Sequence, residues 1–213
     1  MDDKIKIILV GESTVGKTCI INQYVNQSFQ EEYTTTIGGD RLQKEIEINN
    51  KKLNLEIWDT AGQEQYRAIN KIFMKNTKIA ILVYSIVKKE TFEQLDYWYE
   101  SVKNNNSNNV LFVVVGNKND LYEQREVEEE EGKKWAEDNN CLFFESSAKD
   151  YESIENIFNG VCEKYLISNQ EQQTNQNQNL NKPQPNPQKD NKTIILEKNE
   201  FEEKNNHNER RCC

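Results

Sequence analysis

Eight residues, Gly11-Glu12-Ser13-Thr14-Val15-Gly16-Lys17-Thr18, stand between an apolar run, Ile5 to Val10, and a helical stretch. Few folds admit that junction. The run before it is short and β-branched, which predicts a strand buried on both faces. Glycines at either end of the loop let the backbone curl until its N–H groups point into one concavity. A helix opening near Lys17 adds its positive dipole end. In such a concavity Lys17 would reach β- and γ-phosphates, and the Thr18 hydroxyl would ligate Mg²⁺. Alone, the loop indicates a nucleoside triphosphate and leaves the base open; a ligand-free strand-to-helix turn is the plainer alternative.

Up to about Phe158 the chain alternates short apolar runs with longer helical patterns, the signature of an α/β domain with a largely parallel sheet. Ile79 to Tyr84, Val110 to Val115 and Leu142 to Phe144 read as further buried strands. Glu45 to Asn49 and Leu53 to Trp58 alternate apolar with polar residues, which predicts an antiparallel hairpin nearer the sheet edge. Helices are expected over Thr91 to Lys103, Val127 to Asn139 and Tyr151 to Ile167. From Ser168 the chain turns to Asn, Gln, Pro and charge, which predicts a folded domain over 1–167 and a disordered tether over 168–213. The tether's one apolar cluster is Thr193-Ile194-Ile195-Leu196.

The formal net charge of -9 argues against a nucleic-acid partner, since such binding neutralises phosphates with clustered Lys and Arg. No apolar run approaches the ~20 residues of a membrane span, and the first apolar run begins too early for a signal peptide ahead of it. The five cysteines, Cys19, Cys141, Cys162, Cys212 and Cys213, lack the spacing of a disulfide framework or zinc site, which suits a reducing, cytosolic setting.

Asn117-Lys118-Asn119-Asp120 follows the Val110 run and Gly116, beyond a strand's carboxyl end, where open α/β sheets bind ligands. The Asp120 carboxylate can accept from both the ring N–H and the exocyclic amine of guanine. Adenine offers neither donor, and an acid left unpaired in such a site costs about 10⁴-fold in discrimination. In an Asn-rich chain the tetrapeptide is also readable as an ordinary turn. What favours a base site is its position after the phosphate loop and one strand ahead of Glu145-Ser146-Ser147-Ala148-Lys149.

In that order, from Ile5 to about Leu166, these segments resemble the Ras-like small GTPases. The resemblance implies a three-layer P-loop NTPase fold: a six-stranded, mostly parallel sheet with one antiparallel edge strand, about five helices and a disordered tail. It implies GTP and GDP as ligands, Mg²⁺ as cofactor and GTP hydrolysis as the activity. Gly11, Glu12, Ser13, Thr14, Val15, Gly16, Lys17, Thr18 and Cys19 then surround the phosphates, with Phe29 covering a face of the base and Tyr33 in the same set. Without the resemblance Phe29 is a helix-terminal core contact. Asp120 reads the guanine edge, Asn117 and Lys118 brace loop and base, and Ala148, between Ser147 and Lys149, offers its backbone to the guanine oxygen. Thr36, singled out from its threonine neighbours by gap-free counting from Lys17 and by Ile37-Gly38 after it, closes over Mg²⁺ and the γ-phosphate; a Thr-rich lead into a strand is the alternative. Asp59 holds Mg²⁺ through water, Gly62 N–H senses the γ-phosphate, and Gln63 orients the attacking water. Lys17 and Gln63 are the catalytic candidates. No arginine occupies a finger position, so acceleration of about 10³ to 10⁵ is expected from an activating protein.

Within the family, Ile37-Gly38-Gly39-Asp40, Trp58 to Glu64 and Cys212-Cys213 resemble the Rab branch, which directs vesicle traffic. Ile37, Gly38, Gly39, Asp40, Trp58 and Tyr66 are then switch and effector-facing residues. Geranylgeranyl groups on Cys212 and Cys213 would anchor the chain to the cytoplasmic face of an intracellular or plasma membrane, in exchange with cytosol. One lipid is marginal and the tail's glutamates offset its lysines, so two lipids are the consistent anchor; two idle thiols are the alternative. Implied partners are an exchange factor, an activating protein, a prenylation escort, a GDP-dissociation inhibitor and GTP-state effectors, with the chain itself monomeric. Arg41, Phe73-Met74-Lys75 and Ser85 depart from the branch's usual pattern, so effectors do not carry over. Competing readings are a nucleotide-gated scaffold with negligible turnover, a Ras-branch signalling GTPase, and an ATP-dependent kinase or ATPase, the last in conflict with Asp120.

Overall fold

A computed structural model describes residues 4–29, 36, 39–63, 71–107 and 109–180 of the 213, with backbone alone for 171–180. Tyr33, Ile37, Gly38, Tyr66, Cys212 and Cys213 lie outside the described residues, as does the chain from 181 onward.

The sheet is built outward from β1 (Lys4–Val10), which pairs in parallel with β3 (Lys51–Thr60) on one side and β4 (Ile79–Ser85) on the other. With β2 (Gly39–Ile48), β5 (Leu111–Asn117) and β6 (Leu142–Ser146) the order is β2-β3-β1-β4-β5-β6, and β2 is the antiparallel edge strand. This is the six-stranded, mostly parallel sheet expected. Because successive side chains point to opposite faces, each central strand feeds two cores. Ile5, Ile7 and Leu9 pack with α1 (Lys17–Asn26) and α5 (Tyr151–Leu180) through Ile20, Tyr24, Ile157 and Phe158. Ile8 and Val10 pack on the other face with α3 (Leu95–Asn104) and α4 (Glu129–Asp138) through Leu95, Trp98, Val102 and Ala136. Helices on both faces explain why β1, β4 and β5 are apolar almost without interruption.

Several element boundaries differ from expectation, each for a local reason. β2 starts at Gly39 rather than Glu45, because ten backbone pairs with β3, from Gly39↔Thr60 to Ile48↔Lys51, need no apolar side chain at an edge. Asn49 leaves the strand: with Asn50 it makes the hairpin turn, at φ 52° and 60°, the doubly left-handed geometry that matches strand twist. The helix expected over Thr91 to Lys103 starts at Lys89 and breaks at Gln94 (φ -87°, ψ 0°) into α2 (Lys89–Glu93) and α3. The one expected from Val127 starts at Glu129, since Val127 gives its N–H to Ile86 O and Glu128 closes a capping box with Glu131. Helix α5 runs past Ile167 to Leu180, through Gln- and Asn-rich sequence that holds no Gly or Pro.

Candidate functional site

Where β1 ends and α1 begins, residues 11–16 cross the carboxyl edge of the sheet. Gly11 (φ +147°) and Gly16 (φ +100°) hold backbone that L side chains rarely adopt. A Cβ on Gly11 would run into the Val83 carbonyl, and one on Gly16 into the Asn117 amide. Lys17, only 6% exposed, turns back across the loop and donates from Nζ to Gly11 O and Glu12 O, both at 2.8 Å. Burial lowers its pKa to about 8 against the opposing pull of Asp59 and Glu12. An ammonium in so dry a place can exchange carbonyl partners for anionic oxygens. The Glu12 carboxylate accepts from Trp98 Nε1 at 3.2 Å, which ties the loop to α3.

Three oxygen-bearing side chains from three segments converge beside Lys17. Thr18 Oγ1 donates to Asp59 Oδ2 at 2.6 Å; Thr36 Oγ1 lies 2.9 Å from Thr18 Oγ1 and 3.2 Å from Asp59 Oδ2. Asp59 is 3% exposed, and its Oδ1 is buried with no hydrogen-bond partner among the described residues. Burial raises its pKa, opposed by Thr18, Lys17 and Thr36. A buried carboxylate oxygen left unmatched is costly, and this all-oxygen donor set fits a small hard cation such as Mg²⁺. Gly62 lies against the loop: a Cβ there would collide with Ser13 N and the Glu12 carbonyl.

At the far end, Asn117 is 1% exposed, with Nδ2 donating to Val15 O at 2.7 Å and Oδ1 accepting from Ala148 N at 3.1 Å. Lys118 takes the left-handed conformation (φ 70°), and burial lowers its pKa. Asp120 Oδ1 accepts from Ser147 Oγ at 2.8 Å, and its Oδ2 lies 3.4 Å from Lys149 Nζ. The same Nζ stands 5.8 Å from the centre of the Phe29 ring.

One cavity of about 630 Å³ joins the two ends, a volume suited to a small-molecule ligand. Of the residues singled out from sequence, Ser13, Thr14, Gly16, Lys17, Thr18, Cys19, Phe29, Thr36, Gly62 and Gln63 line it, with Asn117, Lys118, Asp120, Ser147, Ala148 and Lys149 opposite. Gly11, Glu12, Val15 and Asp59 are not on its wall; they shape the loop or reach the cavity through Lys17 and Thr18. Gly39, Asp40 and Trp58 do not line it either: Trp58 packs 5.3 Å from Phe73 and donates to Glu56, and Asp40 accepts from Arg41 N. Asn22, Thr60 and Leu121 line the cavity although sequence reasoning passed over them. Thr60 adjoins Asp59 and Leu121 adjoins Asp120, a signal that was available; Asn22, inside α1, had none.

The pattern that defines the Ras family matches residues 6–167. Over 162 residues the chain is 42% identical to Ras-related protein RabQ of Dictyostelium discoideum, spanning 76% of this chain and 79% of that one. Over 166 residues it is 36% identical to Ras-related protein Rab-13 of Canis lupus familiaris, spanning 78% and 82%. The figures are the same for Ras-related protein Rab-13 of Bos taurus.

Proposed function

This chain belongs to the Ras family, as a Rab-like small GTPase that hydrolyses GTP, and from that premise we propose how its residues share the work. Thr18 and Thr36 would hold Mg²⁺ directly and Asp59 would hold it through water. When bound, the ion would neutralise charge on the β- and γ-phosphate oxygens. Lys17 exchanges Gly11 O and Glu12 O for those oxygens, and the loop's N–H groups surround them. Gln63 orients a water for in-line attack on the γ-phosphate, and Gly62 N–H follows that group. Its departure releases Thr36 and Gly62, and with them the surface that effectors read. Asp120 accepts from the amino edge of guanine, between Phe29 and Lys118.

The observation that carries this reading is one cavity with the Lys17, Thr18, Thr36 and Asp59 cluster at one end and Asp120, Asn117 and Ala148 at the other. Competition binding tests the base: GDP is expected to outcompete ADP by at least about 10³-fold, and equal affinities would overturn the assignment. Single-turnover hydrolysis tests the chemistry. Gln63→Leu is expected to slow it about tenfold or more, and an unchanged rate removes Gln63 from the mechanism.

The likeness to Rab-named proteins supports a role in vesicle traffic, with lipid on Cys212 and Cys213 as the anchor. No described helix is long and apolar enough to cross a membrane. An exchange factor, an activating protein, a prenylation escort and a GDP-dissociation inhibitor complete the cycle, and Arg41 and Phe73 make the effector set this chain's own. Intact mass from native cells is expected to show two geranylgeranyl additions; an unmodified mass rejects the anchor.

A further inference from the structure

Asp120 and Ala148 sit on separate loops, after β5 and after β6, and reading one base requires their spacing to hold to about 0.5 Å. The first loop has little packing of its own. Its 3-10 turn, Asn119–Gln124, buries no side chain, is entered through left-handed Lys118, and departs from helical angles at Leu121. β6 is a five-residue edge strand, half-buried along most of its length. Three links between the loops, Asn117 to Ala148, Ser147 to Asp120 and Lys149 to Asp120, use groups that line the cavity and so answer to the ligand. A fourth stands behind them. Arg125, next after the turn, donates from Nη1 and Nη2 to the two carboxylate oxygens of Glu145 at 2.6 and 2.7 Å, with side chains 18% and 11% exposed. Neither residue lines the cavity. Nη1 also donates to the carbonyl of fully buried Val127 at 3.0 Å, and Val127 N donates to Ile86 O, so the guanidinium is moored to the core. Glu145 faces Gly116 in the β5–β6 register, one step ahead of the Asn117↔Ser146 pair.

A two-bond fork between planar ions fixes orientation as well as distance. We propose that Arg125 and Glu145 are positioning residues for base recognition: without touching nucleotide, they set the Asp120 loop against the Ser147-Ala148-Lys149 loop, and with it guanine preference and nucleotide residence time. The inference rests on the assignment of Asp120 as the guanine-reading group.

Arg125→Lys keeps the charge and loses the fork; Glu145→Gln keeps the shape and loses the charge. In the full chain with Mg²⁺, each is expected to speed GDP release about tenfold and to lower the preference for GDP over inosine diphosphate about threefold or more. Inosine lacks the amine that Asp120 would accept from, so the ratio reports that contact. The charge-exchanged pair, Arg125→Glu with Glu145→Arg, is expected to recover part of both effects. Val161→Ala, on the core-facing side of α5, is the comparison for lost stability alone and should leave the ratio unchanged. If the two clamp variants lower the Tm yet match Val161→Ala in release rate and ratio, the positioning role is overturned while the guanine assignment stands. If Asp120→Ala leaves the preference of the parent chain intact, the guanine assignment falls and takes the clamp with it.

Discussion

Asn117 joins three segments with one amide: Nδ2 to Val15 O, Oδ1 to Ala148 N, and a face so close to Gly16 that no Cβ fits between them. Truncation to alanine strands a buried carbonyl and a buried N–H, each costing about 1–3 kcal/mol. Asn117→Ala is therefore expected to lower unfolding free energy by about 2–4 kcal/mol in urea titrations and to speed GDP release at least tenfold; a cost under about 0.5 kcal/mol would show that water replaces the amide. Cys162 supports a second prediction. Fully buried against α1, its thiol is pushed up by burial to about 12, whereas an exposed thiol titrates near 9. Between those values the unfolded chain has lost the proton and the folded chain has kept it, so stability present below pH 9 drains away as pH rises toward 12. Cys162→Ala should flatten the alkaline limb of stability against pH by up to about 1.4 kcal/mol per unit; an unchanged slope would mean that other groups raised by burial, Cys141, Tyr24 and Tyr84 among them, govern it. Residue identities were legible where a local motif specifies chemistry, as with Lys17, Thr18 and Asp120. The pairing of Arg125 with Glu145 was not, because an ion pair joining a loop to a strand across 20 positions leaves no periodic trace.

The β2–β3 hairpin shows what an element decides for itself. Asn49 and Asn50 both hold positive φ, tolerable for Asn and costly for a branched residue by about 1–2 kcal/mol. Asn50→Val is expected to lower stability by about that amount in thermal unfolding, while Asn50→Gly should match or slightly exceed the parent; equal Tm for all three would mean the turn changes type. Strands buried on both faces were readable because continuous β-branched runs have few other uses. β2 was readable only in its alternating half, since Gly39 to Lys44 owes its strand to pairing with β3 rather than to its own side chains. The break at Gln94 had no mark in sequence. The turn before it is held by Thr91, whose hydroxyl bonds Ser85 N and Lys88 O, and such a tie exists only once β4 and α2 are adjacent.

At the scale of the molecule, folding and ligand binding are one equilibrium. A nucleotide that binds only the folded chain stabilises it by about 2.7 kcal/mol at 100 times its Kd. GDP with Mg²⁺ is expected to raise the Tm accordingly, chelation of the metal to reverse much of the rise, and ADP at the same concentration to do little. Equal shifts with ADP would place the affinity in the phosphate loop alone. The order of the motifs, the donor types and the sheet's buried strands were determined by the sequence itself, because glycine, lysine, threonine and aspartate at set spacings carry their chemistry locally. Only the tertiary structure decided that Thr18, Thr36 and Asp59 meet within 3.2 Å, that Asn117 spans Val15 and Ala148, and that Arg125 braces Glu145. Each of those contacts joins segments far apart in the chain, and their distances are set by how helices pack on both faces of one twisted sheet.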